Sequence, residues 1–183
     1  MVDYVLPIML GVLVLTVAWL VIARIRVTPT QAAMVVQRVH FGEAGLRLTE
    51  AEAAVAKLKN PEEIVIPHEH AILVIDFPLT TSATIAISAG FGTIGFTRAE
   101  LIRDICEEYA NVYEAEEATA GTKTIPRDER THKVRNRTDG VYGIHTYDLD
   151  DLVVTAARWR LDRAGTVKIE LHVEPRERPP AAA

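Results

Sequence analysis

The chain has 183 residues, 20 Lys+Arg against 25 Asp+Glu, and a formal net charge of -5. Its mean hydropathy is +0.11, and it holds a single cysteine, Cys106. These values exclude a disordered chain, a multi-pass transporter, a disulfide scaffold and a cysteine-built zinc site.

The apolar excess is local. Tyr4 to Ala23 runs for 20 residues without a charge, 17 of them apolar, enough to span roughly 30 Å as a helix. Tyr4 and Trp19 stand near its ends, where amphipathic rings favour an interface. The sequence therefore predicts a transmembrane anchor over 1–26. A secretory signal peptide competes with this, but the preceding flank carries Asp3 and no basic residue. Arg24 and Arg26 follow the run directly. The positive-inside rule then predicts a single-pass membrane protein, with its N-terminus outside and its C-terminal domain in the cytoplasm.

Residues 27–67 read as a helical stalk or linker. Thr28-Pro29-Thr30-Gln31 offers a cap and a proline for the first turn. Met34 to Phe41 is short and β-branched and reads equally as a strand. Thr49 and Glu52 form a capping-box pattern ahead of Ala51, Ala54, Val55 and Leu58, and Asn60-Pro61 stops that helix.

An α+β domain is predicted over 68–175, with a disordered tail at 176–183. Ala71 to Asp76 is a nearly continuous apolar run, the mark of a buried strand. Ala83, Ile85 and Ile87 alternate with smaller or polar residues, so the two runs read as a hairpin. Gly90-Phe91-Gly92-Thr93-Ile94-Gly95 lacks the Gly-Lys-Ser/Thr ending of a phosphate loop and reads as a connection. Thr97-Arg98-Ala99-Glu100 is a capping box that starts a helix. Leu101, Ile102, Ile105, Tyr109, Val112 and Tyr113 share its apolar face, with Glu107, Glu114 and Glu117 on the wet side. Cys106 borders the stripe and reads as an inert thiol, kept protonated by Glu107 and Glu108.

The last hairpin follows from its turn. Arg163-Ala164-Gly165 fits a three-residue loop, which sets Trp159 opposite Ile169 and Arg158 opposite Glu170. Val153, Ala157, Trp159 and Leu161 are predicted to share a face. The expected fold is ββαββ: a four-stranded sheet under one long helix, in a β-grasp-like layer.

The long loop 119–147 is unusual in so small a domain. Residues 61–122 hold 2 basic and 11 acidic side chains, whereas 123–147 hold 6 basic and 3 acidic. Its basic residues either fold back on the chain's own carboxylates or meet an anion: anionic lipid, or an acidic partner. Nucleic acid is disfavoured, because no aromatic platform sits among them. His68-Glu69-His70 places two imidazoles on one side of an extended segment, a generic start for a metal site. No metal or cofactor is expected. Asp148-Leu149-Asp150-Asp151 reads as a capped turn.

Two stretches carry a resemblance. Phe96-Thr97-Arg98-Ala99-Glu100-Leu101 leads to Ile105, Tyr109, Tyr113 and Glu116-Glu117. Later come Thr138-Asp139-Gly140-Val141-Tyr142-Gly143-Ile144 and Asp148-Leu149-Asp150-Asp151-Leu152. Over residues 70–160 this resembles an uncharacterised plant and bacterial family with an FTRxEL helix and a TDGxYGIWGHDLxDL signature. The chain departs from that pattern at His145-Thr146-Tyr147, where the family type has Trp-Gly-His. The resemblance implies no activity. It implies that the long loop ends in an ordered element.

The functional expectation is a binding or interaction module, with Arg127, Arg130, Arg135, Arg137, Asp139, Tyr142 and Gly143 as binding residues. Its partner would be another membrane or cytoplasmic protein. One alternative is a small hydrolase-like enzyme using His145, Asp148 and Asp151. The other is a structural subunit of a membrane complex.

Overall fold

The computed structural model describes residues 36–42, 44–131 and 134–176. Strands dominate: β1 (Gln37–His40), β2 (Leu46–Arg47), β3 (Ile64–Ile66), β4 (His70–Ile75), β5 (Ala83–Ser88), β6 (Phe96–Thr97), β7 (Leu152–Leu161) and β8 (Val167–Pro175). Two α-helices accompany them among the described residues, α1 (Ala51–Val55) and α2 (Arg98–Thr119).

The main sheet runs β1-β7-β8-β4-β5, with β2 also paired to β7. The central β4–β8 pair is parallel, and its neighbours are antiparallel. Alternation along each strand gives the sheet two unlike faces. Leu73, Ile75, Val167 and Ile169 point to the face covered by α2 and are fully or nearly fully buried. Each such side chain contributes about 1.5–3 kcal/mol through burial. Leu101, Ile102, Ile105, Tyr109 and Val112 meet them from α2.

Helix α2 starts as its capping box predicts. The Glu100 N–H donates to Thr97 Oγ1, and the Thr97 N–H donates to Glu100 Oε2. The N–H groups of Arg98 and Ala99 donate to the carbonyls of Glu63 and Pro61, so the exposed donors of the first turn find partners outside the helix. Gly95 lets β6 approach β3: a Cβ there would stand 2.3 Å from the Ile66 carbonyl oxygen.

Hairpin β7–β8 sets Trp159 opposite Ile169 and Arg158 opposite Glu170, as the three-residue loop requires. Gly165 occupies the left-handed position, φ 82°. One detail differs from expectation. A bulge between Val154 and Ala156 switches the strand's parity. Leu152 and Val154 are therefore buried with Ala157 and Trp159, while Val153 is only half-buried.

Several expectations are corrected. Among the described residues no helix is long and apolar enough to cross a membrane. The single-pass membrane class, the transmembrane anchor and the N-outside, C-cytoplasmic placement are therefore withdrawn. The segment Tyr4–Ala23 that prompted them lies outside the described residues, as does the tail from 177. The expected ββαββ, β-grasp-like four-stranded sheet is replaced by six strands, because β1 and β2 come from the predicted stalk and pair with the long β7. Described residues of that stalk are mostly strand and turn, with one short helix. Helix α1 begins after Glu50, without a side-chain cap, so the Thr49 box does not form.

Candidate functional site

The long loop is ordered by one buried carboxylate. Glu116 continues the apolar face of α2, one turn beyond Val112 and Tyr113, and is 0% exposed. The Gly140 N–H donates to its Oε1 at 2.8 Å. The N–H groups of Tyr142 and Gly143 donate to Oε2 at 2.8 and 3.0 Å. Burial alone would raise the Glu116 carboxyl. The Thr138 hydroxyl beside it and the three backbone donors outweigh burial and hold it below the usual carboxylate range.

Gly140 is required by contact, since a Cβ there would meet Glu116 at 2.6 Å. Gly143 is required by conformation, φ 64°. Asp139 accepts from the Thr122 N–H and hydroxyl, which ties the first loop residues to the same turn. The Tyr142 carbonyl accepts from the N–H groups of Thr80 and Thr81, and the Thr80 hydroxyl donates to the Gly143 carbonyl. The Thr-Asp-Gly-x-Tyr-Gly element is thus a clasp between the end of α2 and the β4–β5 connection.

The second cluster joins the loop arginines to the turn Leu149–Asp151. Arg130 holds Asp148 in a fork, 2.7 and 3.0 Å. Arg127 bonds Asp148, Asp150 and Asp151. Arg135 lies over the Tyr113 ring at 5.2 Å and reaches Asp148 at 3.4 Å. Burial would raise the Asp148 carboxyl, but the bonds and charges of Arg130 and Arg127 hold it down at about 2. Arg137 lies apart and donates to the Thr80 hydroxyl at 3.3 Å. Three of the four predicted binding arginines therefore fold back on the chain's own carboxylates.

The predicted catalytic trio is divided in its surroundings. His145 Nδ1 meets the Thr146 hydroxyl at 3.0 Å, whereas Asp148 and Asp151 are engaged by Arg127. The carboxylates of Asp148, Asp150 and Asp151 lie within 4.8 Å of one another, close enough to hold a metal ion. Arg127 bonds all three, so a guanidinium already supplies the positive charge there. His68 packs edge-on against Trp159, and His70 Nδ1 meets Ser88 Oγ at 3.0 Å. Cys106 is buried with its thiol near the Arg47 carbonyl. Burial pushes it up to about 12, rather than the neighbouring glutamates.

Sequence reasoning missed a cleft of about 640 Å3 between the β1–β2 connection, α1 and the first turns of α2. Leu46, Leu58 and Ile102 give it an apolar floor, and Arg47, Lys57, Lys59 and Arg98 give it a cationic rim. Arg47 pairs with Glu50 and Arg98 with Glu63. Among the described residues no carboxylate forms an ion pair with Lys57 or Lys59. Its signal lay in Lys57-Leu58-Lys59, an apolar residue between two cations where a helix ends.

Fold and site together define a mixed α+β domain with a buried carboxylate clasp and an open, cation-rimmed cleft. No family model, curated protein or solved structure matches the chain.

Proposed function

We propose that the domain is a binding module and that its ligand surface is the cleft beside α1. One observation carries this reading: an apolar floor lies under a rim where, among the described residues, Lys57 and Lys59 form no ion pair, the charge of Glu50 acting on Lys57 only from a distance. The cleft's volume falls within the range of about 300–1,000 Å3 usual for ligand sites. The surface suits a protein segment that combines acidic and apolar side chains. The loop arginines suit such a partner less well, because the chain's own aspartates already engage Arg127, Arg130 and Arg135.

The test is fluorescence anisotropy with a labelled peptide of alternating Glu, Asp and Leu, with a Lys/Leu peptide as control. The acidic peptide binds the native chain, and added salt weakens it. The double variant K57E/K59E lowers its affinity tenfold or more. Equal binding by native chain and variant, or equal binding of the two peptides, overturns the reading.

A further inference from the structure

The two edges of the main sheet are built differently. At one edge, β1 is short and carries Arg38 and His40 among its four residues, and β2 follows it along β7. Charge and brevity are the usual guards against edge pairing. At the other edge, β5 reads Ala83-Thr84-Ile85-Ala86-Ile87-Ser88. It has no charge, no proline and no bulge, and among the described residues no strand lies beyond it.

The direction of its free backbone groups follows from the register. The Ala89 N–H donates to the Glu69 carbonyl, and His70 stands opposite Ser88. Antiparallel ladders alternate bonded and non-bonded pairs. Ala83, Ile85 and Ile87 therefore bond β4, while Thr84, Ala86 and Ser88 turn their N–H and C=O groups outward. The side chains of those three residues are exposed.

We propose that β5 pairs with β5 of a second copy of this chain, antiparallel about a two-fold axis at Ala86. Ala86 then faces its own copy, and Thr84 faces the partner's Ser88. This register forms a ladder of about six backbone hydrogen bonds. An isologous contact must be complementary to itself, and this strand meets that condition. No like charges face each other, a small residue sits on the axis, and hydroxyl side chains pair on either side of it. Ile85, only half-covered in the single chain, is flanked by the partner's Ile87 on the α2 side of the joined sheet. The strand then leads into Gly90–Gly95, where Phe91 and Ile94 are exposed, 110% and 72%. In the pair they extend beyond the joined strands, on the side of the partner's β4–β5 connection.

Sedimentation velocity of the full chain from about 1 to 300 µM gives the first readout, with Ala86→Lys as the variant. The native chain shifts from one-chain to two-chain mass with concentration. Ala86→Lys places like charges on the axis and weakens the association at least tenfold, while its circular dichroism stays native. Cysteine crosslinking fixes the register and covers the case where that variant fails to fold. Under mild oxidation Ala86→Cys gives a covalent dimer, whereas Thr84→Cys, about 13 Å from its own copy at strand spacing, gives little. A chain that stays single throughout the range overturns the proposal. So does association that Ala86→Lys leaves unchanged, or equal crosslinking at the two positions.

Discussion

Glu116 and Gly143 are joined by a hydrogen bond of 3.0 Å from the Gly143 N–H to Glu116 Oε2. That bond, with its two companions, converts a long connection into a fixed part of the domain. Glu116→Ala leaves three buried or half-buried N–H groups without an acceptor, and each lost partner costs about 1–3 kcal/mol. We expect a loss of about 3–5 kcal/mol in urea unfolding. Glu116→Gln keeps an acceptor oxygen and turns a donor toward the N–H groups, so it falls between the two.

Thr146 holds φ at 71°, a conformation that a β-branched residue adopts only under strain. Thr146→Gly relieves that strain, offset in part by the greater freedom of glycine in the unfolded chain. It also loses the contact of the Thr146 hydroxyl with His145. The net expectation is a gain of about 0.5–1 kcal/mol, read as a higher urea midpoint with unchanged slope.

Asp148 is held at about 2 against an ordinary value of 3.8. The stabilisation from this depressed carboxyl is complete above pH 3.8 and is lost as pH falls toward 2. The native chain therefore loses stability across that window. Asp148→Asn is less stable at neutral pH, because Arg130 and Arg127 lose their shared anion, and its stability changes less between pH 4 and 2. Thermal unfolding at stepped pH reads both effects.

Asp104 behaves in the opposite sense. Burial raises its carboxyl first, and the charges of Glu100, Glu107 and Glu108 add to this, to about 6. Among the described residues its Oδ2 finds no hydrogen-bond partner. The protonated form suits the fold, so this contribution is complete below pH 3.8 and is lost as pH rises through 6. Asp104→Asn is expected to stabilise the chain by about 1 kcal/mol at pH 7.5, after allowance for solvent screening. It should have no such effect at pH 4, as thermal unfolding at the two pH values will read.

The local chemistry of the hairpins and of α2 was legible in the sequence. Alternation in Ala83–Ser88, the Thr97–Glu100 box and the turn ending at Gly165 each decide their element from within a few residues. What escaped depends on distant partners. Gln37–His40 becomes a strand because β7 is long enough to accept it, and eight residues around Met34–Phe41 carry too little periodicity to choose. The bulge near Thr155 has no marker residue. Glu116 did leave a sign: it stands at helical spacing from Tyr109, Val112 and Tyr113, where an apolar residue belongs. The cleft was hidden by reading its walls as a helical stalk.

The parallel pairing of β4 with β8 sets Ala71 beside Val167, residues far apart in sequence. A ribosome releases β4 long before β8 exists. Until β8 emerges, Ala71 to Val74 lack the strand on one side, and β4 has only β5 beside it. Assembly of this domain therefore waits for β8, and truncation before Val167 leaves the apolar β4 without its parallel partner and prone to aggregation.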